Sequence, residues 1–497
     1  AVPFLILGVA DSGQLFPAPP TWFHPTSLSV FSADFKLRRS GETIYLFNPE
    51  GNIIDQVSYP GLETDHCYNR TTDGAPNWCY SNLPTPILPN SSTNCHNGYA
   101  LTPVFSFAGG FFQSGITLNL STSMQGAQIR FSTNGNDPQM SDQLYTHPII
   151  IDSTTTIRAR VFAPGFLPGK TIGHTYFIDE ASRLPIFSIC MDSLDLWDEN
   201  SGIYSTGINA DSAWPHFGAN YWQNWSKPAA FEFFDKSKQH LLSFNAEIEI
   251  YGNYSRSEVQ KSFEIKLSDK YGMDGLNYPL ISDKPYISNY ENIVLRNSGT
   301  DWNVVHFRDG LMERLMKSTY SGYLAVEPVR VFLNGQDWGV YTINEKHNHT
   351  WVETNYNLKK SEIDFLTEIG DEIITVDGSA NEFWTLYNYS TTQSPSDQHY
   401  YDEINSMLDL QNYADYFIAE TYYNNGDWIG EWTNNIKMWK PKATGSRWKY
   451  LLHDLDFGFD LHGDVTDNRL EMARNPDAFS YSSEMFDAIL YNEKFKN

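Results

Sequence analysis

The sequence predicts a multidomain chain: two all-β blocks built as N-terminal sandwiches, followed by a larger α+β block. Three observations carry this. The 497 residues exceed what one core organises, and domains of roughly 100–200 residues make about three of them. As far as Tyr176, apolar residues alternate in short runs separated by Gly, Pro and Asp-Pro turns. After Tyr176-Phe-Ile-Asp-Glu180 the pattern changes, and helical periodicity alternates with strands. The expected domains are 1–97, 98–180 and 181–497.

The opening run Ala1-Val-Pro-Phe-Leu-Ile-Leu-Gly-Val-Ala10 lacks the Met and basic start of a signal peptide and reads as a strand cut from a longer precursor. Glu42-Thr-Ile-Tyr-Leu-Phe and Ile53-Ile-Asp-Gln-Val-Ser-Tyr59, joined by a Pro/Gly turn, predict a hairpin. Pro84-Thr-Pro-Ile-Leu-Pro-Asn-Ser-Ser92 punctuates the end of this unit. The four cysteines allow three full pairings. A Cys67–Cys79 bridge is expected in this loop-rich stretch, because no Cys-x-x-Cys or Cys/His spacing supports zinc.

In the second block, Pro103-Val-Phe-Ser-Phe, Ala127-Gln-Ile-Arg-Phe-Ser and Thr154-Thr-Thr-Ile-Arg-Ala-Arg-Val-Phe162 read as alternating strands. Phe111 and Phe112 are expected in its core, with carbohydrate contact the alternative.

In the third block, Gly252-Asn-Tyr-Ser255-Arg256 is a glycine/serine turn feeding the strand Ser262-Phe-Glu-Ile-Lys266. Phe263 and Ile265 share one face with Lys261, and Glu264 and Lys266 share the other. A flexible turn plus a lysine suits a lid and clamp over nucleotide phosphates, with Ser255 in the lid and Lys261 or Lys266 as point charge. For either lysine the alternative is a solvated charge on an edge strand. Ile293-Val-Leu-Arg296 then runs into a helix over 306–317 with Phe307, Leu311, Met312, Leu315 and Met316 on its apolar face. Glu313 falls on the flank, expected at the surface, with pairing to a strand lysine as the alternative. Arg296 and Arg308 are candidates for buried or phosphate-facing roles. Val329-Arg-Val-Phe-Leu-Asn334-Gly335-Gln-Asp-Trp-Gly-Val-Tyr predicts two strands about an Asn-Gly turn. His347 and His349 are expected in an exposed loop. Helices are expected around 382–387, 401–407 and 413–422.

The net charge of −26, from 34 basic and 60 acidic residues, argues against nucleic acid or an anionic membrane as partner, since both need a positive footprint. No apolar run is long enough to span a bilayer. An acidic chain rich in Tyr, Trp and Asn fits an extracellular or cell-surface location.

The chemistry concentrates between Asp427 and Asp460. Asp427 is followed by Asn434-Asn435 and then by Trp448-Lys-Tyr-Leu-Leu-His-Asp454-Leu-Asp456-Phe-Gly-Phe-Asp460. If residues 448–456 are extended, Asp454 and Asp456 project from one face. Paired carboxylates repel unless a cation lies between them, and hard ions such as Mg2+ take such ligands together with substrate phosphates. Asp, then Asn, then Asp-Phe-Gly is also the order in which protein kinases present a catalytic base and two metal ligands. Phosphoryl transfer is the function these residues suggest. A turn or calcium loop is the structural alternative for an isolated Asp-x-Asp.

Taken in order, Gly252-x-x-Ser-Arg with Lys261-Ser-Phe-Glu-Ile-Lys, Leu295-Arg-Asn-Ser-Gly-x-Asp-Trp, Arg308-Asp-Gly-Leu, Phe332-Leu-Asn-Gly-Gln-Asp-Trp-Gly, Asp427-Trp, Asn434-Asn435 and Asp454-Leu-Asp-Phe-Gly-Phe closely resemble the CotH kinase family over residues 184–497. The first block, with Phe35-Lys-Leu-Arg-Arg-Ser-Gly-Glu-Thr-Ile-Tyr-Leu-Phe, resembles the lamin-tail domain, an immunoglobulin-like sandwich. The second resembles the small sandwich appended to chitobiases. The CotH resemblance implies a secreted, atypical two-lobed kinase that uses ATP and Mg2+ (or Mn2+) to phosphorylate Ser or Thr of surface or extracellular proteins. It implies Asp427 as catalytic aspartate, Asn435 (or Asn434) with Asp454 and Asp456 as metal ligands, and Lys261, then Lys266, as phosphate clamp. Trp428, Trp432 and Trp439 are candidates to stack on adenine, with core packing favoured.

Two departures stand out. The Asp427-to-Asn spacing exceeds the family's, and the chain stops at Glu493-Lys-Phe-Lys-Asn497 where family members continue, so that either the ordered part ends there or a C-terminal segment is missing. A non-catalytic adhesin or scaffold on the same fold, with sandwiches binding protein or glycan, is the alternative function. A metal-dependent glycosyltransferase is disfavoured, since no nucleotide-sugar domain pattern precedes the carboxylates.

Overall fold

The computed structural model describes residues 37–496 apart from 86–87, 92–93, 272–274 and 347. The strand expected at 1–10 and His347 lie outside the described residues. The fold is multidomain, all-β at first and mixed α+β after residue 185.

Residues 37–97 contain two antiparallel hairpins, Gly41–Phe47 with Ile53–Pro60 and Cys67–Arg70 with Trp78–Ser81. The expected Cys67–Cys79 bridge is corrected here, because Cys79 is bonded to Cys95 and Cys67 remains a buried thiol. Strand register explains the difference. Cys67 lies opposite Ser81 and Asn69 opposite Cys79, while a bridge between Tyr80 and His96 brings Cys95 alongside.

The second block is a five-stranded sheet in the order Gln143–Leu144, Gln128–Ser132, Thr155–Phe162, Ile172–Ile178, Gly110–Phe112, completed by two smaller sheets. Its core holds Leu118, Ile129, Phe131, Ile157, Ala159 and Val161. Phe111 stacks on Phe177 at 4.7 Å and Phe112 packs on the sandwich core, so both have packing roles.

A closed seven-stranded barrel follows: Ile186–Cys190, Lys227–Phe234, His240–Tyr251, Ser262–Lys266, Asn292–Arg296, Gln336–Asn344 and Val326–Leu333. The first strand closes it by running parallel to Val326–Leu333, and the other pairings are antiparallel. Alternation decides what fills it. Phe231, Phe233, Ile248, Ile250, Phe263, Ile265, Leu295 and Ile343 enclose the interior. The Asn334-Gly335 turn forms as expected, both residues with positive φ (50° and 78°), as a two-residue hairpin requires.

That turn also locks barrel to sandwich. Asn334 Nδ2 donates to the carbonyls of Asn134 (3.2 Å) and Met191 (3.0 Å), and its Oδ1 accepts from Met191 N–H at 2.9 Å. A Cβ on Gly335 would sit 2.8 Å from Thr155 Cα, so only glycine lets the backbones approach. Nearby, Glu232 accepts the Thr175 N–H at 2.7 Å, and Phe177, Ile186, Phe234 and Phe332 form one shared apolar cluster.

The remaining chain builds a four-stranded sheet, Glu372–Asp377, Ile363–Ile369, Ile436–Pro441, Lys449–Leu451, against the helices Asn381–Thr392, Tyr400–Met407 and Leu410–Tyr423. These contain the three segments expected to be helical. Trp428, Trp448, Tyr413, Tyr416 and Phe417 centre this second core.

Two expectations reverse. The helix Arg308–Leu315 buries Asp309, Met312 and Glu313, whereas Phe307 (58 %), Leu311 (41 %) and Leu315 (57 %) are exposed. The supposed flank is therefore the inner face. Glu313 is fully buried, not at the surface, because its Oε2 accepts the Leu324 N–H at 2.8 Å. The strand expected over 448–456 stops at Leu451, and Leu455–Phe457 is a single helical turn entered through Asp454 at φ 57°.

Candidate functional site

Arg296, the last residue of its barrel strand, projects outward and gathers three acids. Its Nη2 donates to Asp454 Oδ1 and lies 3.6 Å from Asp456 Oδ2, while Nε lies 3.7 Å from Asp309 Oδ2. Asp309 comes from the inner face of its helix, where Oδ1 accepts the Leu455 N–H at 2.9 Å. Asp456 is held by the Thr300 N–H, 2.7 Å from its Oδ2. The glycine of Arg296-Asn-Ser-Gly299 has φ 59°, and a Cβ there would fall 2.0 Å from Asp456 Oδ2, so a side chain at 299 would displace the carboxylate. Arg308 secures the far end of the acidic loop, with Nη1 donating to the carbonyls of Gly458 (3.0 Å) and Phe459. The two aspartates thus face one guanidinium, brought there by a left-handed turn at Asp454 and not by strand parity. Asp residues tolerate that backbone better than most, although it still costs about 1 kcal/mol or more.

Asp427 follows the helix Leu410–Tyr423. Its carboxylate accepts from Asn434 Nδ2 (3.3 and 3.2 Å), Asn435 Nδ2 (2.9 Å) and the Trp432 indole N–H (3.0 Å). The long excursion between Asp427 and the Asn pair returns on itself, so both asparagines reach the same carboxylate. Asn435 takes a left-handed backbone, φ 56°. Of the three tryptophans, Trp428 and Trp439 are buried in the core and Trp432 is exposed beside Asp427.

The electrostatics link these pieces. Burial and then the Asp454 charge raise the pKa of Asp427, against the hydrogen bonds from Asn434, Trp432 and Asn435. Burial, then Asp454, pushes Asp456 well above the ordinary carboxylate range, and burial raises Asp309 against the pull of Arg296. Burial opposes the charge of Arg296, but Asp454, Asp309 and Asp456 outweigh it and keep the guanidinium protonated. The same field reaches residues that sequence reasoning did not single out. Lys437 is lowered to about 8 by burial, with Asp454 opposing, and His453 is driven well below its ordinary value by burial, then by Lys437 and Arg296. Tyr251 is raised by burial, next to Arg296, Glu264 and Asp454. Lys346 adds a cation through its pair with Glu264 at 2.5 Å. No local motif marks these residues; distant strands bring them together.

The structure engages the predicted phosphate clamps elsewhere. Lys261 is buried with Nζ donating to the carbonyls of Arg256 (2.7 Å) and Glu258 (2.8 Å), 3.8 Å from the centre of the Tyr221 ring. Burial lowers its pKa to about 8. The signal was in the sequence, since Lys261 shares the parity of Phe263 and Ile265, which face the barrel interior. Lys266 pairs with Glu249 at 2.7 Å. Ser255 lies in a single helical turn, Tyr254–Ser257, closed by Arg256 Nε donating to Gly252 O at 2.6 Å.

Among the described residues, no three His, Cys, Asp or Glu side chains are arranged around a metal position. The donor chemistry nonetheless fits a hard divalent ion. Asp454, Asp456 and the Asn435 amide offer oxygens as donors, and Asp454 adds to burial in raising Asp309, Asp427 and Asp456. The Asp454 side chain, 29 % exposed, is where this group meets solvent. A separate cavity of about 570 Å3, lined by Glu353, Lys359, Lys360, Ser361, Asp377 and Lys442, opens at the opposite end of the strand Ile436–Pro441.

Residues 248–497 match the family described as CotH kinase protein, and residues 107–171 match the one described as Chitobiase/beta-hexosaminidase C-terminal domain. No curated protein matches the chain.

Proposed function

The chain belongs to the CotH kinase family, and from that premise we propose that it is a secreted, metal- and ATP-dependent protein kinase acting on Ser or Thr of extracellular or surface proteins. The observation that supports this reading is the gathering of Asp454, Asp456 and Asp309 on Arg296, with Asp427, held by Asn434 and Asn435, within electrostatic reach of Asp454. Asp427 would orient the acceptor hydroxyl and take its proton as the bond from that oxygen to the γ-phosphorus forms and the γ-phosphorus bond to the bridging oxygen breaks, releasing ADP. Its raised pKa brings it nearer the range in which a carboxylate both accepts and releases a proton. Asn434, Asn435 and Trp432 hold that carboxylate in one orientation. Asp454, Asp456 and Asn435 are the residues that would hold a divalent ion, whose chemistry is to neutralise charge on the phosphate oxygens. Arg296, Lys437 and Lys346 would meet the polyphosphate, in place of Lys261 and Lys266. Such fixed charges stabilise a transition state whose bonds to phosphorus are largely broken.

The Cys79–Cys95 bridge supports a location outside the reducing cytosol. The block before residue 98, which we take as lamin-tail-like, and the sandwich after it would bind partners or present the catalytic part.

Incubation of the chain with labelled ATP and Mg2+ or Mn2+, beside Asp427→Asn and Asp454→Asn, tests the reading. Label incorporated by the wild type and lost in both variants supports it. No incorporation and no nucleotide-induced thermal shift sinks it in favour of the adhesin or scaffold.

A further inference from the structure

Glu420 has no place in the chemistry described so far, yet the fold buries it completely on the helix Leu410–Tyr423. A leucine or methionine there would avoid the cost of burying an acid. One oxygen, Oε1, has no hydrogen-bond partner among the described residues. The other, Oε2, accepts from Asn425 Nδ2 at 2.9 Å, and the Asn425 N–H donates to the Glu420 carbonyl at 3.2 Å. Asn425 is also fully buried, and its Oδ1 accepts the backbone N–H of Asp427 at 3.2 Å. Between them, a Cβ on Gly426 would lie 2.1 Å from the His462 carbonyl oxygen, so this turn has no slack.

An amide has a donor end and an acceptor end. An acceptor at position 420 therefore dictates which way Asn425 points: Nδ2 to the glutamate, Oδ1 to the Asp427 N–H. Without it the amide is free to turn over and set a donor against that N–H. We propose that Glu420 is a positioning residue for Asp427, fixing the Asn425 amide and through it the backbone that aims the Asp427 carboxylate. The inference rests on the role assigned to Asp427 above. Burial lifts the Glu420 pKa to about 8, so at neutral pH it is a neutral acceptor. Gln keeps that acceptor and Leu removes it.

The test compares the full-length wild type, Glu420→Gln, Glu420→Leu and Asp427→Asn in ATP- and Mg2+-dependent labelling of a Ser/Thr peptide mixture. Hydrogen exchange of residues 424–435 and the thermal midpoint are measured in parallel. Glu420→Gln should match the wild type in kcat, KM and exchange over 424–435. Glu420→Leu should lose kcat about tenfold or more, keep its KM for ATP, and exchange faster over 424–435 with no fall in thermal midpoint, a combination that a purely structural role does not produce. Unchanged kcat and exchange in Glu420→Leu, with Asp427→Asn inactive, overturn the inference and leave the kinase reading standing. If the wild type transfers no phosphate, the kinase reading falls and exchange alone decides. Faster exchange in Glu420→Leu then upholds the backbone restraint, and unaltered exchange removes it.

Discussion

Replacing Glu420 by Gln should make the protein more stable at neutral pH and change the way its stability varies with pH. The side chain is fully buried, and burial raises its pKa from an ordinary 4.5 to about 8. Between those values the unfolded chain has released the proton while the folded chain still holds it. This group's contribution to stability is therefore fully present below pH 4.5 and is lost as pH rises toward 8, at about 1.4 kcal/mol per pH unit. From pH 5 to pH 7 the wild type should lose about 2.5 kcal/mol through this one group. Gln carries no such proton, so that slope disappears, while the other titrating groups are common to both proteins and cancel in the difference. Urea unfolding of both proteins at pH 5, 6 and 7, followed by tryptophan fluorescence, measures it. The stability gap should widen in favour of Glu420→Gln by about 2.5 kcal/mol across the range. A gap constant with pH would refute the argument, because it would mean that the acid is already ionised or reached by water.

Four further outcomes are expected. Asp427→Asn should lower phosphoryl transfer by about 100-fold or more while leaving the urea midpoint unchanged or raised, since a charge facing Asp454 is removed. Arg296→Met leaves Asp309, Asp454 and Asp456 without their shared cation and should cost about 3–5 kcal/mol, seen as an earlier urea transition that added Mg2+ partly restores. Lys437→Met should raise the KM for ATP several-fold and Lys261→Met should not, a contrast that steady-state kinetics at varied ATP resolves. Cys95→Ser opens the bridge to Cys79 and should destabilise residues 37–97 by about 3 kcal/mol, so limited proteolysis should cut there first while fragments of the barrel persist.

Much of the architecture was legible because local rules agree with the fold. The Asn334-Gly335 hairpin, the alternation around Phe263 and Ile265 and the helices near 382, 401 and 413 each follow from a window of a few residues. The helix at Arg308 was misread because hydrophobicity alone assigned its inner face. Asp309 and Glu313 are buried by partners that no nearby residue reveals, Leu455 N–H, Arg296 and Leu324 N–H. Asp427, Asp454 and Asp456 could be picked out by spacing. Lys437, His453, Tyr251 and Glu420 could not, since each becomes relevant only when strands and helices distant in sequence meet. The cysteine pairing failed for the same reason, as it depends on a contact between Tyr80 and His96.

The closure of the barrel sets a practical limit on how the molecule can be divided. The stretch matched as CotH begins at residue 248, inside the stave His240–Tyr251, and a clone cut there would discard Ile186–Cys190, Lys227–Phe234 and two thirds of a third stave. A clone starting at 181 keeps every stave but strips the sandwich from Phe234, Phe332 and Gly335, baring a greasy seam in solution. The shortest soluble fragment should therefore begin near residue 98, so that the appended sandwich and the barrel-containing half travel as one piece of cargo.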